Sequence, residues 1–142
     1  MIAIDTNVLL RYLLDDEPEQ SSLAARLITG RRKILITDVV LIETLWTLRG
    51  KKYLLNKTEL VAVVDALFQE PNILFEESQV VWQALDDYRQ AKKIKGKEAD
   101  FADALIVNKA KFLANEKKQK LEGVYTFDVA AQLLPGTNPI KS

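Results

Sequence analysis

Residues 1–14 read Met-Ile-Ala-Ile-Asp-Thr-Asn-Val-Leu-Leu-Arg-Tyr-Leu-Leu, which is a short apolar run followed by a helical pattern. The run from Met1 to Ile4 predicts a short buried strand. Asp5 ends that strand, and the leucines after Asn7 recur at the spacing of a short helix. The same succession of strand and helix returns several times along the chain, so this stretch indicates the fold class.

The strands that the apolar runs predict are Met1–Ile4, Ile34–Ile36, Ile73–Phe75 and Val124–Phe127. The longer helices that the periodicity predicts are Glu19–Thr29, Val39–Arg49, Thr58–Gln69, Ser78–Lys92 and Phe101–Lys117. Alternation of this kind is typical of an α/β fold with a mostly parallel sheet covered by helices on both faces. We expect one domain over residues 1–142, with a loosely structured tail at 135–142.

Composition narrows the chemistry that the chain can use. Of its 142 residues, 48% are hydrophobic and 28% are charged, which is typical of a globular protein. The chain has no cysteine and no histidine, which excludes disulfides, thiolate or imidazole zinc sites and histidine-based catalysis. Its apolar runs are too short to span a membrane, and its start lacks the pattern of a signal peptide, so we expect a cytoplasmic protein.

Two acidic residues in the first half of the chain are candidates for a functional site. Ligands of parallel sheets bind beyond the carboxyl ends of the strands, which is where Asp5 lies. Capping of the following helix explains Asp5 equally well. Glu43 stands in a segment that is apolar around almost its whole circumference, which predicts a buried helix. A buried carboxylate binds a metal, forms an ion pair with a distant cation, or is a hydrogen-bonded neutral acid.

Three acidic residues in the second half are further candidates. Asp100 and Asp103 are three positions apart, so that on a helix their carboxylates share a face. Asp103 starts an apolar stripe that we expect to point inward. Asp128 follows the last predicted strand. Helix capping is the alternative explanation for Asp100 and Asp128, and a first-turn acid that complements the helix dipole is the alternative for Asp103.

Several carboxylates at one strand end repel one another unless a cation lies among them. Ligands that are all oxygen favour Mg²⁺ or Mn²⁺ over zinc. Such an ion acidifies a bound water and stabilises charge on phosphoryl oxygens. This is chemistry that a chain without histidine can use.

Four stretches of the sequence resemble the PIN-domain nucleases, and in particular their VapC toxin branch. They are Ile4 to Leu13, Ile36 to Glu43, Asp100 to Ile106 and Thr126 to Asp128. The resemblance implies a three-layer α/β/α sandwich with a central parallel sheet of four to five strands. It also implies a Mg²⁺- or Mn²⁺-dependent endoribonuclease, a cognate antitoxin and a homodimer.

The resemblance also assigns roles to residues of this chain. Asp5, Glu43 and Asp103 match the core acids of the family, Asp100 matches a frequent additional acid, and Asp128 matches a position that varies among members. All five are expected metal ligands, and the first four are expected catalytic residues. Thr6, Asn7 and Thr126 match supporting polar positions.

Lysines precede the helix that begins near Asp100, and a basic stretch beside a metal site can hold the phosphates of RNA. These lysines are Lys92, Lys93, Lys95 and Lys97. A solvated surface is the alternative explanation. For the whole chain the alternatives are a PIN nuclease of RNA processing that is not a toxin, a receiver-like domain, or a non-catalytic acidic binding module.

Overall fold

The computed structural model describes residues 1–141 of the chain. The described residues form two compact units, one from Met1 to Glu76 and one that begins at Glu77. The elements of the first unit are β1 (Ile2–Ala3), α1 (Thr6–Leu14), α2 (Pro18–Ile28), β2 (Ile34–Ile36), α3 (Asp38–Arg49), α4 (Lys57–Gln69) and β3 (Ile73–Phe75). The elements of the second unit are α5 (Ser78–Gln90), α6 (Phe101–Glu116), β4 (Val124–Thr126), a 3₁₀ turn (Ala131–Leu133) and β5 (Thr137–Pro139).

The first unit is built on a parallel sheet in the order β1-β2-β3. Ile34 pairs with Ile2 on one side and Ile73 on the other. Ile34 and Ile36 are fully buried in the central strand, as expected for a parallel strand covered by helices. Two helices connect each pair of neighbouring strands, which is how parallel strands are joined. The carboxyl ends of all three strands therefore lie at the same edge.

Side-chain caps set where the helices of the first unit begin. Thr37 accepts from the backbone N–H of Val40 and starts α3, and Asn56 forms a capping box with Glu59 at the start of α4. At the start of α3 the N–H of Asp38 also donates to Glu76 Oε2 at 2.6 Å. The helix N-terminus favours that negative charge, and the contact ties the end of β3 to the start of α3.

The second unit is held by the packing of α5 on α6. Val81, Ala84 and Leu85 of α5 and Ala104 and Leu105 of α6 are buried in it. The rings of Tyr88 and Phe101 meet edge to face with centroids 6.1 Å apart. The buried amide of Asn108 donates to Asp87 Oδ2 and to the carbonyl of Ala104, both at 2.9 Å. These bonds satisfy a polar group that would otherwise destabilise the core.

Most of the predicted elements are present, with small shifts of their ends. The first helix starts at Thr6, because Asp5 supplies its cap. Helix α5, predicted to reach Lys92, ends at Gln90. A tight turn follows, in which Lys95 and Gly96 have φ of 51° and 74°. The expected loose tail is wrong for Thr137–Pro139, which pairs with β4 as a parallel strand. The described strands number five and all pair in parallel, but they pair as a three-stranded and a two-stranded sheet, not as one.

The prediction that Glu43 lies on a buried helix surface is wrong, since its side chain is exposed. Only one face of α3 is buried, through Leu41, Thr44, Leu45 and Leu48. Val39 and Trp46, on the remaining surface, are 66% and 52% exposed. Helix α3 therefore carries more apolar side chains than its packing within this chain buries.

Candidate active site

Asp5 lies two residues beyond the carboxyl end of β1, at the edge of the sheet where the sequence predicted it. Its Oδ1 accepts the backbone N–H of Val8 at 3.0 Å and caps α1. Capping uses one lone pair of one oxygen, while an ionised carboxylate offers about four acceptor positions. The capping interpretation and a ligand interpretation of Asp5 are therefore compatible.

Glu43 is joined to the residue that follows Asp5. Thr6 Oγ1 donates to Glu43 Oε1 at 2.9 Å, across 37 positions of sequence. The bond connects the start of α1 to the middle of α3 and fixes one oxygen of an otherwise exposed side chain. The structure thus brings Asp5, Thr6 and Glu43 into one neighbourhood of the first unit, where the hydroxyl of Thr6 contacts Glu43 and not Asp5.

In the second unit, Asp100 and Asp103 form a reciprocal capping box at the start of α6. Asp100 Oδ1 accepts from the N–H of Asp103 at 2.9 Å, and Asp103 Oδ2 accepts from the N–H of Asp100 at 3.0 Å. These bonds satisfy two N–H groups of the first turn and hold both carboxylates in place. The capping alternative is thus a correct description of both residues, and each keeps a carboxylate oxygen outside the box.

The pKa of the Asp103 carboxyl is raised from its ordinary value of 3.8 to about 6. Its partial burial is the largest cause. The hydrogen bond from the backbone of Asp100 works in the opposite direction, and the negative charges of Asp100 and Asp128 add to the rise. The charges of Asp100 and Asp128 therefore both act on Asp103 within the second unit, and the shared pocket expected for Asp128 stays a prediction.

Asp128 also caps, since its Oδ1 accepts from the N–H groups of Ala130 and Ala131 at 2.9 and 3.1 Å. Thr126 supports it, because Thr126 Oγ1 accepts the N–H of Asp128 at 3.0 Å. The loop after β4 is thereby held in one conformation. Sequence reasoning could place Asp128 after the strand but could not show its charge acting on Asp103.

The chemical type of the donor atoms fits a hard divalent cation. Every candidate ligand offers carboxylate oxygen, and the mutual repulsion around Asp103 is of the sort that a cation relieves. Over residues 1–141, however, no three acidic side chains are already gathered tightly enough to hold a metal ion.

The four candidate lysines flank or lie within the turn before α6, and all are exposed. Ile94 and Lys97 exchange backbone hydrogen bonds of 2.8 and 2.9 Å, so the turn is ordered. Lys92 and Lys93 precede it, while Lys95 stands in its tip. Their expected role in binding RNA stays a prediction.

A cleft that sequence reasoning missed adjoins Asp5. It lies against α1 and α2, has a volume of about 300 Å³, and is lined by Asp5, Asn7 and Val8 together with residues of the two helices. Leu23 and Leu27, four positions apart on α2, form part of its wall. That spacing places both leucines on one helix face, and it was the sequence pattern from which the cleft could have been predicted. It is also the ordinary spacing of core leucines.

Comparison with known proteins identifies the family of this chain. The family model described as the PIN domain matches residues 2–131, a range that contains all five candidate acids. The chain belongs to the PIN domain family. The family and the fold class predicted from the sequence are confirmed.

No curated protein matches this chain significantly. One similar solved structure is a crystal structure of the Mycobacterium tuberculosis toxin VapC20, which cleaves the sarcin–ricin loop. The identity is 13% and the TM-score 0.40, over 94% of this chain and 92% of that one. Among residues 1–141 of this PIN-domain chain, no helix combines the length and the hydropathy needed to cross a lipid bilayer.

Proposed function

We propose that this chain is a Mg²⁺- or Mn²⁺-dependent endoribonuclease and the toxin of a VapC-type toxin–antitoxin pair. The observation that carries the proposal is the PIN-domain match over residues 2–131 in a chain that has no histidine or cysteine. Oxygen ligands and a hard cation supply chemistry for phosphodiester cleavage that needs neither imidazole nor thiol. Its motifs resemble the VapC branch in particular, which supports the toxin role, an antitoxin partner, a homodimer and a cytoplasmic location.

The residues that would hold the cation are the five candidate acids, Asp5, Glu43, Asp100, Asp103 and Asp128. When bound, a divalent cation acidifies water and neutralises the charge that builds up on a phosphoryl oxygen. The chain itself orients the donors. Thr6 holds Oε1 of Glu43 in place, and the reciprocal capping box holds Asp100 and Asp103. The lysines of the turn before α6 would contact RNA phosphates.

A purely structural role for the acids is the competing function, and one observation favours it. Four of the acids accept hydrogen bonds from backbone N–H groups where a helix or turn begins, namely Asp5, Asp100, Asp103 and Asp128. A non-catalytic binding module would need nothing more of them. The receiver-like alternative is not supported, because the chain belongs to the PIN family.

Amide substitutions separate these two functions, since asparagine and glutamine keep an acceptor oxygen but lose the charge. In a nuclease, Asp5→Asn, Glu43→Gln and Asp103→Asn should each lower RNA cleavage by about 100-fold or more while the fold is retained. Glu19→Gln, an exposed change on α2, is the matched control and should leave cleavage unchanged. Circular dichroism confirms folding of each variant. Full activity of Glu43→Gln would refute the assignment, because in the described part of the chain the Glu43 side chain caps no helix.

A further inference from the structure

The cleft against α1 and α2 combines an apolar wall with a few polar groups. Val8, Leu23 and Leu27 supply apolar surface, and the Leu23 side chain is 54% exposed although it lies on a helix that packs against α1. Binding sites for small molecules have this character: mostly apolar lining with a small number of placed polar atoms. The volume of about 300 Å³ lies at the lower end of ligand pockets, so the cleft suits a compact group better than a helix.

Arg11 gives the cleft a flat cationic group in a fixed position. Its guanidinium Nη1 lies 2.7 Å from Asp16 Oδ1, an ion pair that restrains the planar head. The Arg11 Nε is buried and has no hydrogen-bond partner within the described part of the chain. Single-stranded RNA bases stack on the planes of arginine side chains, and apolar side chains pack against bases that have left the stack.

Two amides complete the lining. Asn7 and Gln20 both line the cleft and are exposed, and across residues 1–141 neither side-chain amide forms a hydrogen bond within the protein. Each amide carries two donor hydrogens and an acceptor oxygen. The edge of a nucleobase likewise presents adjacent donors and acceptors on a flat group, so a side-chain amide can pair with it.

We infer that this cleft receives one unstacked base of the RNA substrate and that Gln20 reads its edge. The inference rests on the proposed nuclease function and deepens it by placing a base-specific subsite beside Asp5. Leu23, Leu27 and the Arg11 plane hold the base, and the amides of Gln20 and Asn7 distinguish one base from another. The nuclease therefore selects the nucleotide at one fixed position relative to the bond that it cuts.

Binding is tested without cleavage by methyl NMR of the full chain. The four nucleoside 5′-monophosphates are titrated to millimolar concentration in separate samples, and ribose 5-phosphate is the matched probe without a base. The methyl groups of Leu23 and Leu27 should shift with at least one nucleotide and not with ribose 5-phosphate, while those of Leu60, a buried residue of α4, stay in place. Unmoved cleft methyls overturn the inference, as does an equal response to ribose 5-phosphate. A cleft that docks a protein partner instead of a base gives the first of these results.

Selection is tested by cutting single-stranded RNA of randomised sequence and sequencing the ends. The wild type should prefer one base at a fixed position, and Gln20→Ala should weaken that preference about fivefold, as expected for the loss of one or two hydrogen bonds. The control is Glu19→Ala, an exposed neighbour on α2 that does not line the cleft, and it should keep the preference of the wild type.

The two hypotheses fail in different ways. If the chain cuts RNA but Gln20→Ala keeps the full preference of the wild type, the base subsite is wrong and the nuclease function stands. If the wild type cuts no RNA with Mg²⁺ or Mn²⁺ present, the proposed function is wrong. The nucleotide titration then decides by itself whether the cleft binds a base.

Discussion

The raised pKa of Asp103 predicts that the metal-free protein gains stability as the pH falls from 7.5 to 5. In the folded state the carboxyl titrates at about 6, against an ordinary value of 3.8. Above pH 6 the folded protein therefore carries a charge that its surroundings disfavour. The stabilising, protonated form of Asp103 is fully present below pH 3.8 and is lost as the pH rises through 6.

The magnitude follows from the difference of about two pKa units. Each unit corresponds to about 1.4 kcal/mol, so the full linkage would be about 3 kcal/mol. Between pH 7.5 and 5 about half of that linkage is realised, because the folded carboxyl titrates at about 6. Asp103 is only partly buried, and solvent screening lowers the expected gain further, to about 1 kcal/mol. For a chain of this length, that corresponds to a rise in Tm of about 3 °C.

The assay is thermal unfolding followed by circular dichroism in the presence of a chelator, for the wild type and Asp103→Asn. The variant has no charge to lose but keeps an acceptor for the N–H of Asp100. At pH 7.5 it should be about 1 kcal/mol more stable than the wild type, and most of the gain on acidification should be absent. Glu122→Gln, an exposed change in the second unit, should behave as the wild type. Identical pH profiles of the wild type and Asp103→Asn would refute the reasoning.

The remaining predictions concern the metal, Thr6 and the partner. Mn²⁺ at saturating concentration should raise the Tm of the wild type at pH 7.5 and should raise that of Asp103→Asn less, since a ligand stabilises only the state that binds it; an equal rise in both would place the ion elsewhere. Thr6→Val should lower cleavage about 10-fold by freeing Glu43, and Thr6→Ser, which keeps the hydroxyl, should restore it; unchanged cleavage by Thr6→Val would show that the bond to Glu43 is dispensable. Expression of the chain alone should arrest bacterial growth, and coexpression of a short protein from the adjacent reading frame should relieve the arrest and copurify with the chain; growth without arrest would contradict the toxin role.

The sequence was sufficient for the order of the elements because each strand and helix carries its own periodicity. Ile34 and Ile36 lie in a strand that is apolar throughout, and the structure buries both of them fully. The strand at Thr137–Pro139 was missed for a physical reason. It contains a proline and no apolar alternation, so no local pattern marks its pairing with β4.

The acids could be picked out from the sequence, but their surroundings could not. Glu43 was singled out on the argument that it is buried, yet it is exposed and hydrogen-bonded to Thr6. The composition of a helix does not say which of its apolar residues a neighbour covers. The cleft at Arg11 and Gln20 was missed because it depends on how α2 lies on α1, which no local pattern encodes.

The capping bonds bear on how a lineage of this protein would decay once cleavage was no longer selected. Asp5, Asp100 and Asp128 begin helices or turns, so losing any of them costs folding as well as chemistry. Within residues 1–141, the side chain of Glu43 begins no helix or turn, and its hydrogen-bond partner is the hydroxyl of Thr6. A descendant without nuclease activity would therefore keep the three aspartates under selection for stability. Of these four acids, Glu43 would be the first free to drift, which makes it more informative than the three aspartates for telling an active relative from a silent one.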